Sequence, residues 1–447
     1  MGKGQLSRRG FLRRSLAALL FAGGCSRPPV EMQLPDWFAR EWEAAKEEAY
    51  AKEDKPLAAN DRIRVAIIGT GTRGTFLLNR ALSFRSVELA AVCDVEAARA
   101  TAAIEGTGKK YPICRDFRDL LARKDIDAVV VATPDHWHAL IALAAMKAGK
   151  DVYCEKPLSL TIAEGQALVQ AARSRGRVLQ VGSHQRSEDP QFRLACELVR
   201  NGRLGKLKTI RALIGSNPVG GPFAPAQVPM GMDWDLWLGQ APKADYTKER
   251  HRSWRGWYEY GGGKLTDWGA HHLDIAQWAV DMDQSGPVAV EATGEEPSHL
   301  PDCFNIHPTF EVTYTYTSGV TVHCTSEQNG VRFEGENGRW IFVSRARSPF
   351  KTNDPRLIEE PLPRDAQRLP VSTDHFGNFL DCVRSRERPI CDVEVGHRSA
   401  TVCHLGVIAL RTGKKLQWDP ATEAFVGDDE ANSWRSRAMR PPWQLEV

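Results

Sequence analysis

The sequence predicts two successive domains: a parallel sheet covered by helices on both faces, then an α+β domain on a mostly antiparallel, open-faced sheet. Three observations predict it. From residue 63 to residue 181, short β-branched runs alternate with apolar residues at helical spacing. Three glycines, Gly69, Gly71 and Gly74, follow the first strand at once and open a helix. After residue 185 the alternation gives way to two-residue periodicity, as in Phe310-Glu311-Val312-Thr313-Tyr314, mixed with Gly, Pro and Trp. Strand–helix alternation implies a sheet buried on both faces, whereas period-two patterning suits a sheet with one wet face.

The chain has 447 residues, room for two cores at roughly 100–200 residues each. Its 42% hydrophobic and 26% charged residues are those of an ordinary globular protein. A net charge of +3 without long like-charged blocks gives no nucleic-acid footprint. Ten cysteines include no C-x-x-C pair, which argues against a zinc ribbon or a redox motif. No metal is expected.

Taken in order, residues 1–25 carry an export signal. Ser7-Arg8-Arg9-Gly10-Phe11-Leu12-Arg13 precedes an apolar run over residues 16–22, too short to span a bilayer. The paired arginines resemble a twin-arginine signal, the route for proteins that fold before crossing. Ala22-Gly23-Gly24-Cys25 resembles a lipoprotein cleavage box, with ordinary cleavage nearby as the other reading. The expected location is therefore the periplasm or a lipid anchor on the cell envelope, and Cys25 is the expected membrane attachment. Folding in the reducing cytoplasm implies no disulfide framework. Residues 26–61 read as a connecting arm with a polar helix over residues 41–52. Residues 62–186 form the first domain, with strands at 63–68, 87–92, 126–132, 151–154 and 178–181 and helices at 139–148 and 163–174. Residues 187–447 form the second, with helices at 192–200, 271–280 and 376–384 and strands at 208–214, 309–317 and 320–325.

The glycine run has the context that makes G-x-G-x-x-G informative: a strand before it, a helix after it and an acid ending the next strand. Asp94 lies 94 − 74 = 20 residues beyond the third glycine, close to the ~20 of the dinucleotide fingerprint. Gly69 permits the tight turn, Gly71 lets the backbone approach a pyrophosphate, and Gly74 allows close helix–strand packing. Thr72, Arg73 and Gly74 begin the helix, where free N–H groups attract phosphate. Asp94 favours the 2′-hydroxyl of NAD over the 2′-phosphate of NADP. Arg73 complicates that choice, because its charge could sit beside a phosphate. The domain is thus a Rossmann NAD(P)-binding domain.

Further motifs follow: Thr133-Pro134-Asp135-His136-Trp137-His138, then Glu155-Lys156-Pro157, then Asp267-x-Gly269-x-His271-x-x-Asp274. With the glycine run and in this order they resemble the glucose–fructose oxidoreductase, inositol dehydrogenase and rhizopine-catabolism (Gfo/Idh/MocA) family, over residues 62 to about 415. The resemblance implies that Lys156 sits by the nicotinamide and polarises the substrate hydroxyl. It implies that His271 takes the hydroxyl proton and that Asp267 orients it or binds substrate. Independently, a partly desolvated lysine suits proton transfer and an imidazole changes state near neutrality. A structural helix or a metal site of Asp267, His271 and His272 are the competing readings, the latter with poor geometry on one helix. Thr133, Pro134, Asp135, His138 and Glu155 are expected near the cofactor, although His136 and His138 equally suit capping and packing of the next helix. Gln185 is expected at the cofactor, and His184 and Arg186 at the substrate. Residues 251–263 carry Arg252, Trp254, Arg255, Trp257, Tyr258 and Tyr260 before three glycines. That mixture reads as a sugar-binding lid or as an oligomer contact. The resemblance also implies pairing of open sheets into a homo-oligomer.

Export bears on function. An envelope enzyme meets no pool of free NAD, so a tightly bound cofactor carried out with the folded chain is expected. The expected activity is hydride transfer between a sugar or glycoside hydroxyl and that cofactor. The first alternative is an NAD-dependent glycosidase that oxidises C3, eliminates across C2 and re-reduces, with Tyr258, Tyr260 or His184 as base. The second is a non-catalytic sugar-binding protein of the same fold.

Overall fold

A computed structural model describes residues 29–53, 61–345 and 348–446. The signal and Cys25 fall outside the described residues. Six parallel strands form the first sheet, ordered Ile113–Cys114, Val87–Cys93, Ile63–Ile68, Ala128–Val131, Asp151–Cys154, Leu179–Val181. Chain order is thus 3-2-1-4-5-6, the Rossmann arrangement, and the order reverses between Ile63–Ile68 and Ala128–Val131. Strands such as Ala128–Val131, buried at every residue, were legible as unbroken apolar runs. The Asp135–Lys147 helix starts four residues before the expected 139, because its first turn is polar and precedes the apolar run. The Ala97–Glu105 helix had no reading.

The second sheet has ten strands: Val30–Met32, Phe350–Thr352, Trp340–Val343, Gly330–Gly335, Leu207–Leu213, Thr321–Thr325, Phe310–Thr315, Ala289–Gly294, Leu416–Asp419 and Ala424–Phe425. Neighbours are antiparallel except Leu207–Leu213 beside Thr321–Thr325. The Pro190–Arg200, Gly269–Ala279 and Val393–Thr412 helices share its apolar core. The last of these, 20 residues long, was not foreseen; it is buried on nearly every side, so no amphipathic period betrays it.

Three segments tie the domains together. The expected arm supplies the sheet-edge strand Val30–Met32 and the Asp36–Glu53 helix, whose Phe38 enters the second core. The His375–Ser385 helix returns to the first domain, packing Phe376 and Phe379 on Tyr153. At the chain's end Trp443 packs edge-on against Trp137, 4.8 Å between ring centres.

Candidate active site

Gly69, at φ +87°, turns the chain where an added Cβ would lie 2.7 Å from the Ala132 carbonyl oxygen. A Cβ on Gly74 would lie 1.8 Å from the Gly69 carbonyl oxygen, so strand and helix pack backbone to backbone. The Thr72–Leu82 helix that follows has no side-chain cap and no acid in its first turn. Its free N–H groups and positive dipole end suit an anion. The carboxylate of Asp94, the residue expected at the ribose, accepts hydrogen bonds from Thr70 N (2.7 Å), Thr70 Oγ1 (2.9 Å) and Glu96 N (2.9 Å). It therefore also fixes the loop. These features fit a dinucleotide.

The loop opens onto a cavity of about 500 Å³. Asp94, Arg99 and Arg115 line one end, and Lys156, His184 and His271 the other. Over the Asp94 end, the second domain crosses the first by main-chain bonds: Ala97 N to Gly231 O (3.2 Å) and Asp233 N to Val95 O (2.9 Å). Leu236 and Trp237 follow this strap into the cavity wall.

At the other end, Lys156 Nζ donates to Asp267 Oδ1 (2.6 Å) and to the Asp267 carbonyl (2.9 Å). Arg255 Nε lies 3.1 Å from the same carboxylate oxygen, and its guanidinium stacks 4.1 Å above the Trp254 ring. Burial opposes the Asp267 charge, but Lys156 and Arg255 outweigh it and hold the acid well below the usual carboxylate range. Asp267 ends the Gly263–Asp267 helix and His271 lies in the first turn of Gly269–Ala279, with Trp268 between the two helices. His271 is buried, with its Nδ1 unpartnered. Burial first, then the charge of Lys156, pushes its pKa far below the ordinary value and keeps it neutral. Its ring meets that of His184 edge-on at 5.1 Å.

Thr133, Pro134, Asp135, His138 and Glu155 line the cavity with Gly69, Gly71, Thr72 and Arg73. Burial lifts Asp135 to about 8 against the pull of Arg255. His138 bridges the carbonyl oxygens of Pro157 (2.7 Å) and Thr133 (3.0 Å), whereas His136 packs against Trp237 and contacts its carbonyl at 3.0 Å. Arg73, also in the cavity wall, forms a 2.6 Å ion pair with Glu155.

Other expected residues lie elsewhere. Arg186 is fully buried, donating to Asp274 (2.8 Å) and Asp283 (2.7 Å), with Ser399 Oγ adding a 2.6 Å bond to Asp274. Both Arg186 and Asp274 thus join a buried network off the cavity, because an arginine so enclosed needs carboxylates on each side. Gln185 is buried and off the cavity wall. Trp257 packs between Phe223 and Phe304, Tyr258 contacts His307 Nδ1 at 2.9 Å, and Tyr260 accepts from Arg250 at 3.2 Å. None of the three lines the cavity; from that stretch His251, Arg252, Trp254 and Arg255 do. Arg99, Arg115, Ile141 and Trp237 were missed. Only Arg99, five residues past Asp94, carried a positional hint, since the others arrive through tertiary packing.

Residues 63–183 match the family described as an oxidoreductase family with an NAD-binding Rossmann fold, and residues 220–445 match its C-terminal alpha/beta domain. Inositol 2-dehydrogenase of Salmonella typhimurium is 34% identical over 146 residues, 32% of this chain and 43% of that protein. A glycosyl hydrolase family 109 protein of Shewanella sp. is 38% identical over 120 residues, 25% of this chain and 26% of that one. The chain thus spans less than half the length of these curated relatives. Aldose-aldose oxidoreductase from Caulobacter crescentus, solved with glycerol, superposes with TM-score 0.60 at 23% identity, covering 80% of this chain and 99% of its own. The WlbA dehydrogenase from Bordetella pertussis, solved with NADH and UDP-GlcNAcA, gives 0.61 at 20% identity over 80% and 99%. At these identities the two structures establish the fold.

Proposed function

The chain belongs to the Gfo/Idh/MocA oxidoreductase family, and from that premise we propose that it transfers hydride between a hydroxyl of a sugar or glycoside and a tightly held NAD. The observation that carries this reading is that Lys156, paired with Asp267 off the cavity wall, shares one cavity with a neutral His271 and the glycine cradle. When bound, the nicotinamide would accept hydride from the carbinol carbon and return it. Lys156, anchored on its Asp267 side, donates a remaining N–H to the substrate oxygen and stabilises the alkoxide character that develops there. His271, uncharged, accepts the hydroxyl proton at a ring nitrogen. Asp267 fixes the ammonium and balances its charge. Trp254 holds the Arg255 guanidinium in the cavity wall by stacking beneath it, so that Arg255 can donate to a sugar hydroxyl.

Asp94 supports NAD over NADP by repelling a 2′-phosphate. The strap of residues 231–233 over the Asp94 end supports slow release. The signal at residues 7–13 supports export with cofactor in place, to the periplasm or to a lipid anchor at Cys25, and the open sheet face supports a homo-oligomer. The test is the absorption spectrum of the purified, unsupplemented chain, followed by a panel of sugars with the holoprotein. Absence of co-purifying NAD together with no binding of added NAD refutes the reading.

The likeness to glycosyl hydrolase family 109 proteins favours a second reading, glycoside cleavage through transient oxidation. Of the three bases expected for it, His184 lines the cavity while Tyr258 and Tyr260 do not. Phenol release from aryl glycosides without net NADH would select this reading over plain oxidation.

A further inference from the structure

The proposed reaction leaves a proton on a ring that is badly placed to keep it. His271 is only 6% exposed, and the nearest charges are the cations Lys156 and Arg73. Asp267, four residues before His271 in the chain, is already occupied by Lys156 and Arg255. One neighbour leads outward. The His184 ring meets the His271 ring at 5.1 Å and lines the same cavity. His184 Nδ1 lies 3.2 Å from Glu188 Oε2, one helical turn on, with the Glu188 side chain 40% exposed. His271, His184 and Glu188 therefore stand one after another between the buried site and water, and the Nδ1 atoms of both rings lack a hydrogen-bond partner, leaving them free to pass a proton.

We propose that His184 and Glu188 carry the proton taken up by His271 out to solvent. This rests on the oxidoreductase reading above. Oxidation of an alcohol to a ketone releases one hydride, with its electron pair, to the oxidised dinucleotide and one proton to water; the relay handles the proton alone. The substrate O–H bond breaks as a bond to one His271 ring nitrogen forms. The N–H on the other nitrogen then passes its proton to His184, and His184 passes one to the Glu188 carboxylate and to water. Each ring ends neutral. The groups facing His184 are Glu188 on its own segment, His271 from the Gly269–Ala279 helix, His375 from the His375–Ser385 helix, and Glu155 across the cavity. His375 is closed to the relay, since its nitrogens contact Val181 O (2.8 Å) and Ser187 Oγ (2.8 Å). Glu155 is held by Arg73. Glu188 is left as the carboxylate that reaches the surface.

The relay separates net oxidation from a redox-neutral cycle. A cycle that returns hydride within the site can also return the proton from His271, and needs no exit. His184 and Glu188 are accordingly positioning and proton-carrying groups, and their test must read protons.

The experiment uses the full NAD-loaded chain, its His184→Phe and Glu188→Gln variants, and myo-inositol, D-glucose and N-acetylgalactosamine as probes. In stopped flow with a pH indicator, the wild-type proton should appear together with reduced nicotinamide. In H184F it should lag by about tenfold or more, and added imidazole should restore it. Synchronous release in H184F overturns the proposal. In E188Q the proton should reach solvent later than reduced nicotinamide forms; simultaneous appearance of the two in E188Q overturns the Glu188 step. Failure of the wild type to reduce its nicotinamide with any probe would instead overturn the oxidoreductase reading on which the relay rests.

Discussion

Replacing His271 with phenylalanine separates chemistry from fold. The ring is buried, edge-on to His184 and tilted against Trp268 at 5.5 Å, and its Nδ1 has no partner. Phenylalanine keeps a ring of similar size and removes a buried nitrogen whose unsatisfied state costs about 1–3 kcal/mol. The exchange should therefore change stability by less than about 1.5 kcal/mol, as volume-conserving swaps do, with Tm moving by no more than about 4 °C. Dinucleotide binding should persist, because the glycine cradle and Asp94 do not touch this ring. Turnover should fall by ~10²–10⁴, the usual contribution of a general base, which is about 2.7–5.4 kcal/mol of barrier at about 1.36 per decade. Circular dichroism gives the Tm, protein fluorescence gives NAD binding, and reduced-nicotinamide absorbance gives turnover. Turnover within about threefold of wild type, with binding intact, would remove His271 from the chemistry.

Gly74→Ala should abolish dinucleotide binding, since its Cβ would lie 1.8 Å from a backbone oxygen; NAD titration of any folded fraction checks this. Arg186→Met leaves Asp274 as a buried, uncompensated acid and should cost about 3–5 kcal/mol, read as a lowered urea midpoint, whereas a substrate-binding arginine would raise KM with stability unchanged. Asp135, raised to about 8 by burial, holds a proton in the folded state that the unfolded chain releases near pH 4. Stability is thus highest at the acid side of that window and declines as pH rises toward 8. Asp135→Asn should lose this slope, and NAD affinity, falling above about pH 8 in the wild type as a second carboxylate charges beside Asp267, should become flat. Trp254→Ala, which removes the stacking that positions Arg255, should raise KM for sugar by about tenfold with little change in NAD affinity; an unchanged KM would place the sugar elsewhere.

Much of the first domain was legible in sequence because its determinants are local. An apolar run bounded by turns reads as a buried strand, and glycines that must approach backbone within contact distance admit no other residue. The loop, Asp94 and the Thr133-to-His138 and Glu155-to-Lys156 segments all follow strand ends, where a parallel sheet opens its crevice, and all line the cavity. Less was legible where a residue's role depends on what packs behind it. Trp257, Tyr258 and Tyr260 look like a binding lid in sequence, yet their rings turn into the core while Trp254 and Arg255 face the cavity. Arg186 sits two residues from His184 in an identical local context, but only one of them meets buried carboxylates brought by the Asp274 and Asp283 segments. The Val393–Thr412 helix, apolar on nearly all sides, gave no period to detect. By itself the sequence determined the local strand units and the glycine cradle, because these follow from covalent neighbours and backbone sterics, and it named Lys156, Asp267 and His271 as candidates for the chemistry. Tertiary structure alone decided which polar groups share a cavity, which pair in the core and which pKa values move, because those depend on burial and on charges contributed by segments more than a hundred residues away.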